Sequence, residues 1–328
     1  MLVARVFKLP LDPNSPARLV LIHLPIAEIS VNMFIIFGMG GAVGFLSGLL
    51  GVGGGFLLTP LLIFSGIPPV VAVATVSTQI VASSTSGALS YWRRNMIDMK
   101  LALYLLLAGI IGSFIGVAIF DALRRLGQLD LIVSLIYVVF LGTVGGLMLW
   151  ESARAILNAR AGRPAPLRRP GQHNWVHGLP LKIRFKRSRL YVSAIPIVAL
   201  GIGIGALGAL LGIGGGFLVV PALIYILRVP TNVVIGTSLV QIVGTMSVAA
   251  ILHAVTSQSV DAVLALILMI GGVIGAQFGA RIGANIRGDT LRALLAVLVI
   301  TVAVRFLTGL VVTPEERYSL TLLFGAGS

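Results

Sequence analysis

The sequence predicts an all-α polytopic membrane protein built from two copies of one helical unit. Three observations carry that prediction. Of 328 residues, 57% are hydrophobic and only 10% are charged, with a mean hydropathy of +1.05. Soluble globular chains are about a quarter charged. Long apolar stretches recur along the chain, enough for roughly eight to ten transmembrane segments at about 20 residues per crossing. A glycine-rich block occurs twice in the same setting, which makes the chain a duplication.

The first apolar stretch follows an N-terminal arm, residues 1–30, whose Pro10, Pro13, Pro16 and Pro25 interrupt any continuous apolar run of the kind a cleavable signal needs. From Val31 to about Phe64 the chain is apolar but broken by Gly51-Val-Gly-Gly-Gly55; further segments follow at about 70–91, 101–120 and 131–150. These make a first repeat, 31–150. Residues 151–189 are polar, contain proline and are rich in arginine. A second repeat, 190–312, starts with a stretch broken by Gly212-Ile-Gly-Gly-Gly216 and continues at about 232–255, 262–280 and 290–312, leaving a tail at 313–328.

The duplication is legible residue by residue. Gly44 to Pro60 lies over Gly205 to Pro221 without a gap. One-residue shifts then align Thr75 with Thr237, Gln79 with Gln241, Asp98 with Asp261, and Gly109, Gly112 and Gly116 with Gly272, Gly275 and Gly279.

Charge tells how the copies face. Net charge is +14, and ten of the 24 Lys and Arg residues lie between Arg154 and Arg189. In a polytopic protein such a loop is an anchor held on the cytoplasmic side, so 151–189 is expected to be a cytoplasmic linker; anionic lipids, not nucleic acid, are its alternative partner. Equivalent loops of the repeats carry opposite bias. Arg93, Arg94 and Lys100 have no basic counterpart at 253–261, whereas Arg281, Arg287 and Arg292 stand opposite a loop in which Arg124 and Arg125 are balanced by Asp121 and Asp130. Inverted repeats with an odd number of crossings each produce this pattern. Arg5, Lys8 and Arg18 then fall on the outer side, against the bias.

Cysteine is absent, and His23, His173, His177 and His253 have no metal-ligand spacing, so neither metal nor other cofactor is expected. No nucleophile-base pair or carboxylate pair lies in the apolar segments, which argues against an enzyme. The glycine blocks are the stronger signal. Three consecutive glycines should end a helix, and the piece after them, Phe56 to about Ser65, is half a membrane long. Irregular backbone at membrane depth is tolerated only in a protein interior or beside a wet cavity. Half-helices beginning there aim N–H groups and a positive dipole end at the cavity, which suits an anion. Close helix packing is the plainer use of such glycines, and the one expected for Gly109, Gly112, Gly116 and their counterparts. Thr75 and Gln79 share a helix face, as do Thr237 and Gln241 with Ser238 beside them; substrate contact and helix-to-helix glue are equally open. Asp98 and Asp261 are expected to cap the helices that follow.

Both glycine blocks, the downstream Thr and Gln positions and the Gly-x-x-Gly segments resemble the sulfite exporter TauE/SafE family, also called sulfonate uptake permeases, over about residues 31–312. The resemblance implies a bacterial-type transporter in the inner (cytoplasmic) membrane. It would move small sulfur-containing oxyanions such as sulfite or organosulfonates, with the glycine segments lining the substrate site. The expected substrate-binding residues are Gly53, Gly54, Gly55, Phe56, Thr75, Gln79, Gly214, Gly215, Gly216, Phe217, Thr237, Ser238 and Gln241. A passive anion channel built on the same broken helices, or a membrane scaffold or lipid-binding protein acting through the basic linker, are the alternatives.

Overall fold

The computed structural model describes residues 21–50, 54–93, 95, 97–160, 182–185, 190–225, 231–283 and 288–311. A hairpin of β1 (Leu21–Leu24) and β2 (Ile29–Asn32) leads into α1 (Met33–Leu50). Then come α2 (Gly55–Phe64), α3 (Pro69–Arg93), α4 (Met99–Arg125) and α5 (Leu129–Arg160). The order repeats. Hairpin strands β3 (Lys182–Phe185) and β4 (Leu190–Ser193) precede α6 (Ala194–Leu211), α7 (Gly216–Tyr225), α8 (Thr231–Thr256), α9 (Ala262–Gly283) and α10 (Gly288–Val311).

Both hairpins are findings beyond the all-α expectation. Each strand is four residues long, too short for a period-2 pattern to stand out from the neighbouring apolar sequence. A shift of 161 residues carries β1 onto β3, β2 onto β4 and α1 onto α6. The repeat therefore begins at the hairpins, inside what the sequence presents as an arm and a linker. Likewise α5 continues ten residues beyond Trp150, into the stretch whose polarity suggested a loop.

Among the described residues, six helical segments are long and apolar enough to cross a bilayer: Pro69–Arg93, Met99–Arg125, Leu129–Trp150, Ala194–Leu211, Val233–Thr256 and Ala262–Gly279. Helices α1 and α10 have 18 and 24 residues, whereas α2 and α7 are ten residues each, about 15 Å. Their outward faces are what a multi-pass membrane protein needs. Leu103, Leu107, Ile111 and Phe114 form an exposed apolar stripe on α4, and Leu266, Ile270, Ile274 and Phe278 form its counterpart on α9.

The half-helices do not continue the helices before them. Gly54 faces Val43 and Ser47, and the Ser65 hydroxyl donates to Met39 Sδ at 3.7 Å, so α2 runs back along α1. In the second repeat Gly215 faces Ile204, the residue equivalent to Val43, so α7 turns back on α6 in the same way.

Helix pairing is exchanged between the repeats. The first helix of each packs on the fourth helix of the other, α1 on α9 and α6 on α4, at backbone contact. A methyl group at Gly44 would collide with the Gly272 carbonyl, one at Gly205 with the Gly109 carbonyl, and one at Gly275 with the Gly41 carbonyl. The close-packing role expected of Gly109, Gly112 and Gly116 and their counterparts is thus observed. Without a hydrophobic drive between helices in lipid, this close approach of two backbones is what holds the pairs together.

Gly112→Ala and Gly275→Ala are each expected to lower stability by roughly 1–3 kcal/mol, as overpacking does, read as a fall in the melting temperature in detergent. Gly142→Ala, where nothing lies within 4 Å of the added carbon, should leave it unchanged or slightly higher.

Candidate functional site

The two glycine breaks meet at the middle of the molecule. Helix α6 ends at Leu211, and Gly212 caps it in the left-handed region (φ 65°), with the Thr59 hydroxyl and the Val73 backbone 3.0 Å from where a Cβ would stand. No other residue type fits that conformation and that approach. Gly214 and Gly215 are also at positive φ before α7 starts at Gly216. Gly55, the first residue of α2, lies against the carbonyls of Gly212 and Ile213, and Ile80 of α3 reaches both Gly55 and Gly214. Each break is therefore built against the other.

At this crossing the first turns of the half-helices face one another. Phe56 and Phe217, each the second residue of its helix, stack at 4.5 Å between ring centroids with 12° between planes. Both are 1% exposed, and Gly54, Gly55 and Gly214 to Gly216 are buried with them. Gly53 lies outside the described residues. The first N–H groups of a helix have no acceptor within it, so two sets of donors converge here. Thr59 donates to the Gly212 carbonyl at 3.1 Å and the Tyr137 hydroxyl to the Leu211 carbonyl at 2.5 Å, which satisfies the end of α6 from the first repeat. Tyr137 has no motif around it, so only the fold could reveal it.

Thr75 and Gln79 do share a face, and it is turned to α9. The Asp261 N–H donates to Thr75 Oγ1 at 3.1 Å, and the Gln79 amide fills the space a side chain at Gly272 would need. The other repeat mirrors this. The Asp98 N–H donates to Thr237 Oγ1 at 3.1 Å, and the Gln241 amide nitrogen lies 3.2 Å from the Cβ position of Gly109. Ser238 is buried and turned to its own helix, donating to the Ile235 carbonyl at 2.9 Å. Both threonines are thus occupied as ties between the repeats. Both glutamines are different: each is 1% exposed, and each amide Oε1 is buried with no partner.

Asp98 and Asp261 are caps, as their positions suggested. Asp98 Oδ1 accepts the Leu101 N–H at 3.2 Å and Asp261 Oδ1 the Leu264 N–H at 3.0 Å. Asp261 Oδ2 also accepts the Ile26 N–H from the turn of the first hairpin at 3.1 Å. His253 is fully buried on α8, with Nε2 3.0 Å from the Ala209 carbonyl and its ring edge against Phe120.

Exposed apolar stripes around buried, broken helices define a multi-pass membrane protein. The match to known proteins agrees with that class. Residues 36–306 match the family model described as Sulfite exporter TauE/SafE, and the chain belongs to that family. A Xylella fastidiosa protein called "Probable membrane transporter protein" is 32% identical over 247 residues, 74% of this chain and 81% of its own length. Bacillus subtilis "Probable membrane transporter protein YjnA" is 31% identical over 72% of this chain and 84% of its own. Arabidopsis thaliana "Sulfite exporter TauE/SafE family protein 3" is 32% identical over 34% of this chain and 25% of its own. No solved structure matches. The protein is a membrane transporter of this family.

Thr75→Val and Thr237→Val should each leave one buried N–H without an acceptor, that of Asp261 or Asp98. The expected loss is about 1–3 kcal/mol, measured by thermal unfolding in detergent; Thr→Ser should restore most of it.

Proposed function

We propose that this transporter moves small sulfur-containing oxyanions, such as sulfite or organosulfonates, across the cytoplasmic membrane, by exchange between two inverted repeats around the glycine crossing. The observation that carries the reading is the pair of buried amides of Gln79 and Gln241, whose Oε1 atoms have no partner. An unmet hydrogen-bonding position at that depth costs about 1–3 kcal/mol, which a bound ligand would recover. Oxygen and nitrogen of a carboxamide exchange by a half-turn of its last torsion. Turned so, each amide sets its oxygen against the glycine of the facing helix and offers its NH2 to an oxyanion. The half-helix N-termini supply further donors without a buried Lys or Arg, in keeping with a charge carried almost wholly outside the apolar segments. The substrate class follows the printed names of relatives called sulfite exporters.

Inversion has support from the hairpins. Because α2 doubles back on α1, the first hairpin and the α3–α4 turn at Asp98 belong to opposite ends of their repeat. Yet the first hairpin is bonded to Asp261, the α8–α9 counterpart of Asp98. That juxtaposition arises naturally when the second repeat runs the other way. The stacked, buried Phe56 and Phe217 close the centre and favour a carrier over an open pore.

Purified protein in liposomes is expected to exchange radiolabelled sulfite or sulfoacetate. Gln79→Ala and Gln241→Ala should each cut the flux at least tenfold with melting temperatures within a few degrees of wild type, since one lost charge-assisted hydrogen bond is worth about that much. Neither flux nor binding of any such anion by the wild type would sink the proposal.

A further inference from the structure

The hairpins are built into the repeat with no shift, yet the glycine crossing and the glutamines make no use of them. Each carries one large, fully buried residue at the same position: Leu24 in the first and Phe185 in the second, 161 residues on. Leu24 joins the cluster that contains Leu58 and Leu62 of α2. Phe185 joins one that contains Val219 and Leu223 of α7, the residues equivalent to Leu58 and Leu62, together with Leu101 and Leu105 of α4 and Val234 of α8. Each hairpin thus adds a buried hydrophobic side chain to the core cluster that also holds the half-helix of its own repeat.

Both also dock on the other repeat, at the start of its fourth helix. The turn of the first hairpin gives the Ile26 N–H to Asp261, just ahead of α9. Phe185 of the second meets Tyr104 edge-on at 6.1 Å and lies under the Lys100 ammonium at 5.9 Å, both on the first turns of α4. From Asp261 the path inward is short. Its N–H is held by Thr75, one turn of α3 before Gln79 and Ile80, which reach the facing helix and the glycine crossing.

We propose that the two hairpins are the gates of the transport path, one at each end, and that Asp261 is the latch that couples the seating of the first gate to α3. This rests on the inverted reading under Proposed function. In the structure both hairpins are seated. Releasing the first would withdraw Leu24 and Ala27, free the Asp261 carboxylate from Ile26, and loosen the end of α3 held through Thr75. A hairpin suits this task. The two strands of each hairpin pair with each other, so the unit can unseat as a body with its internal ladder intact, its outer edges and the freed Ile26 N–H turning to water at the mouth of the path.

The natural absence of cysteine makes the test direct. Ala27→Cys reports the first hairpin and Val192→Cys the second, at positions 5% and 1% exposed. In oriented membrane vesicles holding the full chain, a membrane-impermeant maleimide should modify the Ala27→Cys thiol from one face only and the Val192→Cys thiol from the opposite face only, both slowly. Adding Asp261→Asn keeps a capping side chain but removes the charge that holds Ile26. It should raise the labelling rate at position 27 about tenfold and leave that at position 192 unchanged, whereas general destabilisation would raise both. Sulfite should move the two rates in opposite directions. Modification of both positions from the same face, or no change at position 27 on Asp261→Asn, overturns the gate. Correct sidedness and latch behaviour with no response to sulfite upholds the gate and counts against the proposed anion.

Discussion

Two backbones in contact, with no side chain between them, are the constraint on which the rest of this fold depends. Hydrocarbon offers nothing to push helices together, so association rests on dispersion and on how closely the chains approach. At Gly44 against Gly272 and at Gly205 against Gly109 the approach is as close as a peptide allows. Because each contact joins the first helix of one repeat to the fourth helix of the other, neither repeat can reach this packing alone. The exchange also decides where the breaks lie. With α1 and α6 pinned to opposite partners, the glycine turns at their ends are brought to the same place, and Phe56 and Phe217 meet across a pseudo-twofold axis.

That axis explains why several polar groups come in matched pairs with matched tasks. Thr75 and Thr237 accept N–H groups from Asp261 and Asp98 at the same distance, and those aspartates cap α9 and α4 alike. These are hydrogen-bonded ties between repeats. Gln79 and Gln241 obey the same symmetry, and the Oε1 of each is left without a partner. Tyr137 and Thr59, both of the first repeat, secure the end of α6 in the second.

Much of this could be read in the sequence because its strongest signals are local. Three glycines in a row stop a helix wherever they stand, and the half-helix expected over Phe56 to Ser65 is found over Gly55–Phe64. Apolar segments set most of the long helices to within a few residues, α5 with its ten further residues beyond Trp150 excepted, and Asp before a helix capped it. What stayed hidden depends on distant partners. The hairpins carry only four residues per strand, too few for a period to show, and only their docking on Asp261 and Phe185's neighbours gives them weight. A glycine-broken stretch that doubles back contains as many apolar residues as one that passes through, so composition alone does not separate the two. For the candidate site, the sequence singled out glycines that the fold brings together and glutamines that it buries, but could not separate Thr75 and Thr237, whose hydroxyls accept hydrogen bonds across the interface, from the glutamines, whose Oε1 atoms have no partner.

The exchanged pairing also sets an order of assembly. Gly44 and its partner Gly272 are about 230 residues apart in the chain, whereas Gly109 and Gly205 are about 100 apart. At a synthesis rate of roughly 5–20 residues per second, α1 waits on the order of 10–50 s after it is made before α9 exists to cover its glycine face. During that interval the α4–α6 pair can already have closed. The glycine face of α1 therefore waits longer for its partner than that of α4 does, and needs protection over that interval while the protein is being inserted.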